Sequence, residues 1–274
     1  MRYQIDHDLH IHTCLSRCAS DFRQRPERIL QYGLENGLKT LCVTDHYWDE
    51  RVPGVNFHGE YQSGAAVSYA LHNTAYTDMA LPLPTADGVR FLYGCETEMD
   101  RHFTIGISRE EAERRDFIIV PTTHLHFRNF TIDASDRTEE GCARLWVKRF
   151  RAVLDSGLPM HKVGIAHLTT ALFVPSGSWE EVERCLGRIS DDEMTDLFGR
   201  AAKSGVGIEL NFEPTACASV LDSVLRPYRI AAACGCKFYL GSDAHTVGGL
   251  DRAIPEFEKM IDLLGLSEDQ KFKI

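Results

Sequence analysis

Apolar residues Tyr3, Ile5, Leu9 and Ile11 surround the segment Asp8-Leu9-His10-Ile11-His12 and mark it as a first β-strand. Pro26-Glu27 then opens a helix with Ile29, Leu30 and Leu34 as its apolar stripe, and Asn36-Gly37 stops it. Leu38 to Thr44 reads as a second strand ending in Asp45-His46. Residues 47–63 have no clear period and read as a loop long enough to be functional, with Tyr47, Trp48, Phe57, His58 and Tyr61 available to lid a compact ligand. A helix over about 64–79 leads to a proline-rich turn at 81–84, and a third strand runs from Val89 to Cys95 into Glu96. Ser108-Arg-Glu-Glu111 resembles a capping box on a short helix. The fourth strand, Phe117 to Thr122, ends at His124-Leu-His126, and 138–156 is a long amphipathic helix. Lys162 to Ala166 forms a fifth strand ending at His167; helices follow near 178–188 and 191–204. The sixth strand, Val206 to Leu210, carries Glu209 and Asn211. A helix over about 217–233 precedes the seventh, Lys237 to Leu240, which leads into Gly241-Ser-Asp243-Ala-His245, and the last helix covers roughly 250–264.

Seven strands alternating with helices predict parallel pairing and an α/β barrel or open sheet. No linker, composition shift or short-period repeat divides the 274 residues, so one domain over 1–274 is expected. The formal net charge of −10 argues against a broad phosphate-gripping surface, making nucleic acid an unlikely partner, while bound cations would still admit a small anionic substrate. Nine cysteines lie outside any C-x-x-C pair; no 18-residue apolar run and no leader-like segment is present, which fits a reducing cytoplasm and no membrane.

The chemistry lies at the strand ends. Side chains at i and i+2 of a strand share a face, so His10 and His12 project together, with Asp8 expected on that face behind them. His10/His12, His46, Glu96, His124, His167 and Asp243/His245 all fall at C-terminal strand ends, which converge on one face of a parallel barrel. Each alone has a bland reading as a core or turn residue; jointly they point to metal. Their number exceeds the four or so ligands of one zinc, so two or three Zn, Mn or Fe ions sharing the Glu96 carboxylate are expected. Asp8, Asp45, Glu209 and Asn211 read as holders of ligands. Beyond the fourth strand, His126 and Arg128 are candidates to assist a leaving group and to bind phosphate.

Asp8-Leu-His10-Ile-His12-Thr13, Thr44-Asp45-His46, Gly94-Cys-Glu96, Thr123-His124, Ala166-His167, Glu209-Leu-Asn211 and Gly241-Ser-Asp243-Ala-His245 together resemble the ordered motifs of the PHP (polymerase and histidinol phosphatase) family. The resemblance implies a distorted (β/α)7 barrel, a trinuclear metal site and histidinol-phosphatase-like hydrolysis of a phosphoester. It also implies His10, His12, Glu96 and Asp243 around one ion, Glu96, His124, His167 and His245 around another, and His46 on a third. One position departs: histidinol phosphatases of the family usually offer a His where this chain has Cys18, whereas other members present an Asp that Ser20-Asp21 matches with a small insertion. On that comparison Asp21 is favoured over Cys18 as the ligand partnering His46.

The expected activity is hydrolysis of a small phosphomonoester by a metal-bridging hydroxide. Phosphodiester or nucleotide cleavage is one alternative. An amidohydrolase-type barrel is another, disfavoured because Thr122-Thr-His124 stands where its bridging Lys belongs. A metal-bound module without catalysis is the non-enzyme reading.

Overall fold

The computed structural model describes residues 1–64, 72–211 and 218–274. Its strands are β1 (His7–Ile11), β2 (Thr40–Val43), β3 (His46–Tyr47), β4 (Gly54–Val55), β5 (Tyr61–Gln62), β6 (Arg90–Tyr93), β7 (Cys95–Thr97), β8 (Ile118–Pro121), β9 (Val163–Ala166), β10 (Gly207–Leu210) and β11 (Lys237–Leu240). Apart from the β4–β5 hairpin they form two parallel sheets, β1-β2-β6 and β11-β10-β9-β8-β7-β3. The helices are α1 (Pro26–Glu35), α2 (Thr74–Thr77), α3 (Arg109–Arg114), α4 (Glu139–Asp155), α5 (Trp179–Gly187), α6 (Asp191–Ser204), α7 (Leu221–Ala233) and α8 (Val247–Leu264). Of the helix expected over 64–79, α2 is the described remnant and 65–71 lie outside the described residues; likewise residue 217, expected to open the helix that begins here at Leu221.

No single closed sheet forms among the described residues, because the ladder is interrupted at two places. The first is between the two long central strands. Thr40 to Val43 pair with Arg90 to Tyr93, and His46 and Tyr47 pair with Glu96 and Thr97, so the register across the interruption never slips. The backbone bonds Gly94 N–H to Val43 O and Glu96 N–H to Asp45 O span the gap. Gly94 is required there: a Cβ would sit 2.7 Å from both Cys42 Sγ and Phe117 O. The second interruption separates β1 from β11, whose seam is bridged by the backbone bonds Asp243 N–H to His10 O and His12 N–H to Ala244 O and by Leu240 N–H to His7 Nε2.

Inward-facing residues of both sheets, Leu9, Cys42, Leu92, Phe117, Ile119, Ala166 and Tyr239, pack against one another with Phe272 of the C-terminal tail. Gly164 and Gly207 leave the room that Tyr239 and Phe272 occupy. The outward faces pack on the helices in the larger cluster, Ile29 of α1, Trp146 and Phe150 of α4 and Phe257 of α8 among them. Alternation therefore sends every second residue of a strand inward, and near the C-terminal strand ends the inward residues become polar.

The expectation for residues 47–63 is corrected. Tyr47 and Trp48 are both fully buried. Trp48 packs with Val55 and Phe130, flanked by Val52, Phe57 and Phe127. Gly54 and Gly106 lie flat against its indole, where any Cβ would collide with the ring. Tyr47 lies beneath the buried Arg115 guanidinium, 4.6 Å from its ring centre. This segment is a satellite core with a hairpin, and the apolar pattern was hidden because its partners, Phe127 and Phe130, come from a distant loop.

Candidate metal centre

Alternation along Leu92, Gly94, Glu96 and Glu98 carries one inward face from the apolar floor to a carboxylate at its centre. Glu96 is fully buried, and neither oxygen has a hydrogen-bond partner. Its Oε2 lies 2.8 Å from His46 Nδ1, 3.4 Å from His12 Nε2 and 3.7 Å from His10 Nε2. Its Oε1 faces the other way, 3.9 Å from His167 Nδ1 and 4.0 Å from His124 Nε2. Asp243 divides similarly, with Oδ1 at 3.0 Å from His12 Nε2 and 3.3 Å from His10 Nε2, and Oδ2 at 3.2 Å from His167 Nε2. His167 and Asp243 both have left-handed backbones, at φ 50° and 52°. For residues with a Cβ this is a strained choice, concentrated here where two strand ends turn their side chains into the site.

The far side of each ring is fixed by a neighbour. His10 Nδ1 donates to Glu209 Oε1 at 2.6 Å, and the other oxygen of Glu209 accepts from His167 N–H at 3.0 Å. His124 Nδ1 donates to Glu98 Oε1 at 2.6 Å. Ser16 Oγ gives its proton to Asp45 Oδ1 at 2.6 Å, so at 3.0 Å it accepts from His12 Nδ1. His245 Nδ1 donates to the carbonyl of Asp243. With these Nδ1 atoms protonated, the Nε2 lone pairs point inward. His10 Nε2 and His12 Nε2 are then 3.1 Å apart, close enough for a proton or a cation to be held between them.

The charges agree. Burial opposes ionisation, yet the fields of Glu209, Asp243 and Glu96 raise the basicity of His10 well above the usual imidazole range, and His167 is pushed up to about 9. Against the same burial, His46 and His10 hold Glu96 well below the carboxylate range, and His10 and His167 do so for Asp243. Anionic, inward-aimed and unsatisfied, the donor set fits divalent ions, whose charge would replace these protons. Donor atoms lie within 4.8 Å of one another in His12/His46/His245, His10/His12/Glu96, His10/His167/Glu209 and Glu96/His124/His167.

Nine residues were singled out as ligands from the sequence, and the structure brings eight of them together. Asp21 is the exception. Its carboxylate takes both Arg23 Nε and Nη2 at 2.9 Å and accepts from Val247 N–H, so it is neutralised within its own loop. Cys18 lies at an exposed turn; against the partial burial of its thiol, His245 and His46 bring it down to about 6. His245 is also regrouped: it stacks on His12 at 4.0 Å and neighbours His46 rather than joining His124 and His167. Asp8 does not share the His10/His12 face. A register shift between Asp8 and Ile11 changes the parity of β1, sending Leu9 inward while Asp8 accepts from Tyr32 of α1 and from Ser242 N–H. His126 packs against His124 and Phe127; burial above all, then the neighbouring His124, depresses it to about 4, leaving a neutral ring. Arg128 is exposed, with no acidic partner among the described residues. Glu98 and Ser16 were missed. Continuing the period of two past Glu96 would have reached Glu98, whereas nothing in the sequence singles out Ser16.

No family model and no curated protein matches the chain. Among solved structures it is similar to histidinol phosphate phosphatase from Lactococcus lactis subsp. lactis, complexed with zinc, L-histidinol and phosphate. That likeness has TM-score 0.57 and 14% identity and covers 98% of this chain and 99% of the other. It is also similar to a candidate histidinol phosphatase from Listeria monocytogenes, at TM-score 0.57 and 14% identity over 91% and 98% of the two chains. At this identity the likeness establishes a shared α/β fold with parallel sheets.

Proposed function

We propose that this chain is a metal-dependent phosphoesterase acting on a small phosphomonoester, built as one domain on a distorted (β/α)7 barrel. The observation that carries the reading is Glu96, whose two buried, unsatisfied oxygens face separate groups of imidazoles, as a carboxylate shared between ions requires. His10, His12, His46, His124, His167, Asp243 and His245 would hold two or three ions of the zinc, manganese or iron type. When bound, the ions would polarise phosphoryl oxygens and lower the pKa of water.

The chain's own residues then have separable tasks. Glu209, Glu98 and Ser16 keep His10, His124 and His12 in the tautomer that turns Nε2 inward. His126, neutral and wedged on Phe127, offers one N–H and one lone pair to orient an ester oxygen. Arg128, two residues on and without an acid to neutralise it, supplies positive charge for a phosphate dianion. The net charge of −10 favours a small monoester over a polymer. The structural likeness to a histidinol phosphate phosphatase puts histidinol phosphate first among substrates to try.

The test is phosphate release by metal-quantified protein from histidinol phosphate, sugar phosphates, nucleotides and a phosphodiester. Monoester turnover that disappears in Glu96→Ala together with bound metal is expected. Full metal loading without release from any phosphate ester, or turnover of amides instead, would overturn the reading.

A further inference from the structure

Helix α4 places an arginine where its buried stripe calls for a hydrophobe. Arg149 stands among Leu145, Trp146, Phe150 and Val153 and is itself fully enclosed. A guanidinium there carries a desolvation penalty that a leucine or methionine would avoid. Its hydrogen bonds go to backbone carbonyls: Nε donates to Thr122 O at 2.9 Å, Nη1 to Met99 O at 3.0 Å and Nη2 to Pro121 O at 3.3 Å. Burial lowers its pKa to about 10 against the fields of Glu98 and Asp100, so it stays charged at neutral pH. Those carbonyls belong to two segments that part beyond the sheet. The β7–β8 register pairs Cys95 with Ile118 and Glu96 with Ile119. Past it, Glu98 O accepts from Gly106 N–H and Met99 bridges to Ile105. Across this divergence Glu98 Oε1 accepts from His124 Nδ1 at 2.6 Å.

We propose that Arg149 is a positioning residue for the Glu98–His124 pair. Gripping Met99 O on one side and Pro121 O and Thr122 O on the other, it fixes the separation of the two segments. His124 then keeps its proton on Nδ1 and turns Nε2 toward Glu96 Oε1, 4.0 Å away. The inference rests on the metal-centre reading and adds to it a residue that touches neither ligand nor substrate. A planar guanidinium suits the task, because its N–H groups reach both segments in fixed directions, which an ammonium on one nitrogen does not reproduce. Glu98 needs this outside support: its second oxygen, Oε2, is buried with no donor, so His124 alone anchors the carboxylate by a hydrogen bond.

The experiment compares Arg149→Met and Arg149→Lys with Glu98→Ala and with the Arg149→Met/Glu98→Ala double variant, each checked for folding by circular dichroism. In metal-stripped protein, imidazole nitrogen–proton correlation spectra report the tautomer of His124, whose signals are identified by their loss in His124→Asn. The wild type is expected to hold the proton on Nδ1, and both Arg149 variants to lose that preference. Zinc titration against a competing chelator is expected to show one ion weakened by roughly 10–100-fold in either Arg149 variant, as loss of an outer partner of a metal-bound histidine does. Adding Arg149→Met to Glu98→Ala is expected to weaken zinc no further. A role in the core alone would lower stability in both backgrounds while leaving the tautomer and zinc affinity untouched. That result, or an equal further weakening in the Glu98→Ala background, overturns the proposal. If Arg149→Met does not fold, Arg149→Lys carries both readouts. A wild type that binds no zinc overturns the metal-centre reading, and the tautomer in stripped protein then decides the role of Arg149 by itself.

Discussion

Glu209→Gln separates the orienting carboxylate from the ligands it serves. Both partners of Glu209 are donors: His10 Nδ1–H on one oxygen and His167 N–H on the other. A glutamine has one acceptor oxygen, so whichever partner keeps it, the other faces an NH2 group, donor against donor, in a fully buried site. A buried donor left unsatisfied costs about 1–3 kcal/mol. Loss of an outer partner of a metal-bound histidine weakens metal binding by roughly 10–100-fold, which is about 1.4–2.7 kcal/mol. The two routes agree, and the expected result is a 10–100-fold loss of zinc affinity in a chelator-competition titration, with the fold retained by circular dichroism. Gly241→Ala provides an independent approach, because a Cβ at Gly241 would press into Glu209 Oε1 and displace it without altering its charge. It should reproduce the affinity loss. Unchanged zinc affinity in both variants would refute the claim that Glu209 sets the presentation of His10.

Trp48→Ala should lower unfolding stability by about 3–5 kcal/mol in urea denaturation, because its indole is fully enclosed by the satellite core; a shift in substrate preference with unchanged stability would instead restore the lid. Phe272→Ala should destabilise by a similar 3–5 kcal/mol, since this side chain fills the space between the sheets from below, and an unchanged melting temperature would contradict that. Asp21→Ala should leave the number of bound ions unchanged in elemental analysis, and loss of one ion would return Asp21 to the ligand set.

The sequence exposed this fold through period: helices α1, α4 and α6 and the strands leading to His124, His167 and Asp243 all fall where the apolar pattern puts them, within a few residues. Clustering of the strand-end histidines was legible for the same reason, since parallel strands place like ends together. What stayed hidden depends on contacts between distant segments or on local breaks in period. Asp8 was assigned to the wrong face because one extra residue in β1 changes parity without changing composition. Trp48 looked like a loop aromatic because its packing partner Phe130 lies 82 positions on. Asp21 looked like a donor because spacing does not reveal that Arg23, two residues later, folds back onto it.

The meeting of β1 with β11, and of Phe272 with Leu9, has a consequence for how the protein is made. The first strand's backbone is completed by Asp243 and Ala244, and the cluster between the sheets by the tail after β11. During synthesis, a chain that has emerged only as far as β10 carries His10 and His12 on a strand with one neighbour missing and an apolar face uncovered. Contacts of such long sequence separation form late and slowly. Nascent chains stalled before about residue 240 should therefore be protease-sensitive and depend on chaperones to shield that face, whereas emergence of the segment from Asp243 to Phe272 lets the seam close and the ligand set assemble.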